Sequence, residues 1–144
     1  MSLPAQQINP SKDQIEHLGR AMSELPQVEL KTDHHFADGM YAREVFREKG
    51  TVIVGKVHKK EHFYIIMSGC IDVTTDDGVQ RIHGPAIITS KPGTQRAVLA
   101  IEDSVCCTVH RTDKIDLSEI EEDLVEPCDF AQFNESNKLL GARS

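Results

Sequence analysis

The feature that most constrains this chain is a series of short β-branched runs, separated by glycine-bearing turns, between Met40 and His110. Val, Ile, Thr, Phe and Tyr suit a pleated, half-buried surface better than a helix. The pattern predicts strands over residues 40–46, 51–58, 62–67, 70–75, 79–83, 86–89, 97–101 and 104–110. Turns fall at Glu48-Lys49-Gly50, Ser68-Gly69, Asp76-Asp77-Gly78 and Lys91-Pro92-Gly93-Thr94. Asp-Gly marks a hairpin because it tolerates the positive φ a tight turn demands. About eight short antiparallel strands at this spacing imply an all-β sandwich or barrel.

Helices are expected on both flanks. Ser11 stands where an N-cap would, Ile15, Leu18, Met22 and Leu25 recur at helical spacing, and Pro26 stops the run. Residues 116–125 form a second helical stretch, capped by Asp116 or Ser118, with acidic residues at the positive end of its dipole. Residues 1–10 read as a loose arm and residues 134–144 as a polar tail. The expected organisation is one domain: arm and helix at 1–33, barrel at 34–112, helix and tail at 113–144.

Composition removes several function classes. A formal net charge of -7, with only the Lys59-Lys60 pair as a basic cluster, argues against nucleic acid as a partner. No apolar run approaches the roughly 18 residues of a membrane span, and residues 1–10 lack the pattern of a signal peptide. The expected location is therefore the cytoplasm. Cys70, Cys106, Cys107 and Cys128 show no zinc-finger spacing. Adjacent Cys106 and Cys107 face opposite ways on a strand, so all four are expected as free thiols. No nucleophile elbow, phosphate loop or H-E-x-x-H sequence occurs.

The residues with most chemical content are His58 and His62, flanking the charged break Lys59-Lys60-Glu61. On an extended chain a spacing of four puts both on one face. Converging neutral imidazoles select Zn, Fe, Ni or Cu over Mg or Ca. Two donors make a weak site, so a third is needed. His110, at the end of the last strand, is the best candidate; Glu61, His34, His35 and His83 are lesser ones. Two other readings stand beside the metal: a solvated loop, or hydrogen-bond donors to a polar or anionic ligand. Arg96, after the Pro92-Gly93 turn, either grips an anion at a barrel mouth or sits in water. Tyr64 shares parity with His62 and either lines the pocket or packs in the core. His34-His35 is expected in an irregular lead-in segment.

The run Gly55-Lys-Val-His58-Lys-Lys-Glu-His62, followed by Gly69, together with Pro92-Gly93-Thr94-Gln95-Arg96, resembles the two motifs of the cupin superfamily. His58 falls at the second motif histidine, Lys56 at the first, His62 at the glutamate, and Arg96 where a later histidine is expected. Residues 30–125 more closely resemble small cupin-like proteins of tailed bacteriophages, through the runs His34-His-Phe-Ala-Asp-Gly-Met-Tyr-Ala-Arg-Glu-Val-Phe, Thr75-Asp-Asp-Gly-Val79 and Thr108-Val-His110. The resemblance implies a double-stranded β-helix (a jelly-roll barrel) with short flanking helices. Of the motif ligands only His58 matches in residue type, so it is the residues' own placement that nominates a divalent transition metal, Zn, Fe, Ni or Mn, at His58, His62 and His110, with Arg96 and Tyr64 binding ligand. The resemblance also implies a homodimer or larger homo-oligomer, and host cytoplasm or virion as the location. Three functions fit: a barrel that binds a metal or small anionic molecule, in the setting of a phage accessory protein; a metal-dependent oxygenase, isomerase or hydrolase; or a virion-structural or host-interaction protein with no working site.

Overall fold

The computed structural model describes residues 11–128 apart from 26 and 28. Helix α1 (Lys12–Ser23) is followed by strands β1 (Thr32–Ala37), β2 (Met40–Arg47), β3 (Val52–Val54), β4 (His62–Ser68), β5 (Cys70–Thr75), β6 (Gly78–His83), β7 (Ala86–Ser90), β8 (Ala97–Ala100) and β9 (Ser104–Arg111). Helix α2 (Leu117–Leu124) comes last. The strands form two antiparallel sheets, ordered β1-β2-β9-β4-β7 and β3-β8-β5-β6. Tyr64, Ile66 and Cys106 from the first sheet meet Ile71, Val73 and Val98 from the second in one buried cluster. This is the all-β sandwich expected from the turn-punctuated sequence, in the jelly-roll form that the family resemblance implies.

Local chemistry sets the joints. Between β4 and β5, Gly69 holds φ at +89°, and a Cβ there would collide with the Ser104 side chain and the Asp103 carbonyl. Only glycine permits that backbone conformation together with that approach. Ser11 and Gln14 form a reciprocal capping box on α1. Of α1's expected apolar face, Ile15 is buried while Leu18 stays partly exposed. Asp116, rather than Ser118, caps α2 by accepting from the Ser118 and Glu119 amides. Ile120 and Leu124 of α2 pack on Tyr41, closing one end of the barrel.

Two expectations are corrected. His34-His35 does not lie in an irregular segment: it belongs to β1, paired with β2 through the Asp38-Gly39 hairpin. The strand expected over residues 51–58 covers only β3. From Gly55 the chain leaves the ladder and pairs with two loops. Gly55 and His58 amides donate to the Arg96 and Thr94 carbonyls, and the Glu126 amide donates to the Val57 carbonyl. Those long-range partners outweigh the β-propensity of Val57. The arm at 1–10 and the tail at 134–144 lie outside the described residues.

Candidate metal centre

The inner faces of three neighbouring strands converge on one place. β4 and β9 pair antiparallel with Phe63 opposite Val109, which sets His62 and His110 side by side on the inner face. β2 pairs with β9 so that Tyr41 lies opposite His110. His58 arrives separately. Its amide donates to the Thr94 carbonyl, its carbonyl accepts from Gly93, and it makes a bridge to Val125 just beyond α2.

The result is a cluster of three imidazoles. Ring centroids are 4.2 Å apart for His58 and His62, 4.6 Å for His62 and His110, and 5.4 Å for His58 and His110. One nitrogen from each lies within 4.8 Å of the others. The rings line a cavity of about 690 Å³ together with Tyr41, Tyr64, Arg43, Arg47 and Arg96. Such a volume suits a small organic molecule.

Electrostatics keep the cluster in the donor form. Burial, then the neighbouring His62, pushes His58 down to about 3. Burial, then His62 and His58, does the same to His110, also to about 3. Burial lowers His62 as well, although the Lys60 carbonyl pulls the other way. All three rings are thus neutral at pH 7, as metal ligation requires. The His62 Nδ1–H donates to the Lys60 carbonyl at 3.1 Å, which leaves Nε2 with its lone pair. A ligand histidine is commonly oriented in this way. Three neutral imidazoles, with one nitrogen from each inside 4.8 Å of the others, fit a divalent transition metal in donor chemistry.

The other candidates are elsewhere. His34 Nδ1 contacts Tyr41 Oη at 2.7 Å, His35 pairs with Glu44, and His83 neighbours Cys70 on the second sheet. Glu61 is exposed. Lys56, at the first motif histidine, is ion-paired with Glu121 of α2. Arg96 is not the solvated strand-start residue of one reading. Its Nη1 donates to the Thr74 carbonyl, while its Nε and Nη2 donate to Ser90 Oγ. Tyr64 is buried, and its phenol is pushed up to about 12, chiefly by desolvation. All four cysteines are free thiols.

Sequence reasoning missed Tyr41, Arg43 and Arg47, which point inward from β2. Their alternation with Val45 on one strand was the available signal.

The two-sheet jelly roll thus carries three inward imidazoles at one end of its interior. Solved structures support the fold. A cupin superfamily protein from Desulfitobacterium hafniense is similar at TM-score 0.51 and 11% identity, over 65% of this chain and 87% of that one. The cupin domain of Cnp3 from Schizosaccharomyces pombe gives 0.51 at 20% identity, over 67% and 71%. KdgF from a Halomonas species gives 0.51 at 14% identity, over 58% and 80%. No protein-family model and no curated protein matches the sequence. The fold is that of the cupins. Among the described residues, no helix is long and apolar enough to cross a membrane.

Proposed function

We propose that this chain is a metal-binding cupin protein that holds one divalent transition ion, Zn, Fe, Ni or Mn, through His58, His62 and His110. The observation that carries the reading is the convergence of three neutral imidazoles, from separate chain segments, on one cavity. Three protein donors leave a coordination position for a small molecule, the arrangement of ligand-binding and catalytic sites rather than of closed structural ones. A bound ion supplies Lewis acidity and a template for an oxygen donor entering the cavity. The protein supplies the rest. The Lys60 carbonyl fixes the His62 tautomer, Tyr41 stacks on His110, and Tyr64 and Arg96 form the wall beyond them. Resemblance to phage cupin-like proteins supports a phage accessory role, and cupin analogy supports a homo-oligomer.

Elemental analysis of the purified full-length protein tests this. Close to one equivalent of transition metal per chain is expected after dialysis against metal and then metal-free buffer. His58→Ala or His110→Ala should each weaken binding by at least the roughly 10- to 100-fold that loss of even an orienting partner costs. Wild-type protein that takes up none of the four metals would end the proposal.

A further inference from the structure

Arg47 stands out among the charged groups of the cavity. It is only 9% exposed, and its Nε is enclosed with no hydrogen-bond partner. Its Nη1 donates to Tyr64 Oη at 2.5 Å, and the guanidinium carbon lies 5.8 Å from the Tyr64 ring centroid. Among the described residues, no carboxylate is ion-paired with it. The cavity wall carries a single carboxylate among the described residues, Glu121, and Lys56 holds it. Arg96 presents its guanidinium at the same 5.8 Å from the Tyr64 ring, but all three of its nitrogens already donate to protein oxygens.

An arginine keeps its charge even when buried. A buried charge without a counter-charge is costly unless something supplies one. With Nη1 turned to Tyr64, the side-on edge of the guanidinium carries the parallel N–H groups of Nε and Nη2, and the enclosed Nε has no partner there. That fork matches two oxygens on one centre. The Tyr64 hydroxyl accepts from Arg47 Nη1, and its own O–H is a donor for an incoming oxygen. Val54, Val98, Ile120 and Leu124 add apolar surface to the cavity wall.

We infer that Arg47, supported by Tyr64 and the field of Arg96, is the anchor of an oxyanion subsite inside the barrel, and that the ligand is a small organic acid with an apolar body. Carboxylate and phosphate share the required pair of anionic oxygens; the planar carboxylate fits the side-on fork more closely. The subsite shares a cavity with the metal reading but does not need the metal, so the two succeed or fail separately.

The test uses chelator-treated, full-length protein, with benzoate, inorganic phosphate and the uncharged benzyl alcohol as probes, followed by calorimetric titration and thermal melting. Benzoate is expected to bind and raise the melting temperature by several degrees; benzyl alcohol should do neither. Phosphate binding in place of benzoate would assign the subsite to phosphate esters. Arg47→Met should weaken binding at least tenfold, while the ligand-free variant melts no lower than wild type because an uncompensated charge has gone. If Arg47→Met does not fold, Arg47→Lys decides: it keeps the charge but loses the fork, and tenfold weaker binding is expected. Absence of binding by both anions, or equal binding by wild type and variant, overturns the inference.

Discussion

The two ends of the barrel interior are built by the same strands and do opposite things. Along β4 the inward residues are Ile66, Tyr64 and His62; along β9 they are Cys106, Thr108 and His110; along β2 they are Val45, Arg43 and Tyr41. At one end Ile66, Ile71 and Val73 are 0% exposed and packed between the sheets. At the other, rings and guanidinium groups form a cavity wall. The strand register that stacks methyl groups at one end therefore stacks nitrogen donors four residues away. Apolar packing gives the backbone rigidity, and the donors inherit their positions from it. Arg47 departs from this gradient: it follows Val45 toward the packed end, yet its side chain reaches back to Tyr64.

That division can be broken experimentally. The largest effect should come from the packed end. Ile66→Ala removes a fully enclosed side chain and is expected to cost about 3 kcal/mol in urea denaturation. Metal binding well below the melting temperature should survive it; a parallel collapse of affinity would show that the ends are not separable.

A smaller effect should come from acid. In metal-free protein His58 and His110 resist protonation until about pH 3, whereas the unfolded chain takes up protons near 6.5. Their contribution to stability is thus present above pH 6.5 and is lost progressively as pH falls toward 3. One such histidine accounts for about 2 kcal/mol lost by pH 5. Chemical denaturation across that range should show the loss, His110→Ala should reduce it, and Ile66→Ala should leave its slope unchanged. The smallest effect belongs to the outer face, where Ile87 is 67% exposed. Ile87→Ser should alter the unfolding free energy by no more than about 0.5 kcal/mol.

How much could be read beforehand depended on how local each signal was. Strands β4 to β9 follow from β-branched runs and turn residues that lie within a few positions of one another. A spacing of four around a charged break nominated His58 and His62 together, and its place at the end of the last strand nominated His110. The hairpin at Asp38-Gly39 carried a strong local signal that the histidines beside it obscured. The departure of residues 55–58 from the sheet had none. It is caused by hydrogen bonds to Thr94, Arg96 and Glu126, nearly 40 residues away or more along the chain. Arg47 was legible only in part: alternation puts it on the face of Tyr41, Arg43 and Val45, but its register opposite Ser104 exists only once β2 and β9 pair.

The three imidazoles are not anchored alike. His62 and His110 ride on adjacent strands that lean on the core, whereas His58 is held at its backbone by the Gly93–Thr94 loop and the chain leaving α2. The tripod has two fixed legs and one leg bolted to a helix. Any shift of that helix against the sheet displaces a single donor, so if an ion binds as proposed, its affinity is expected to follow the seating of the last helix.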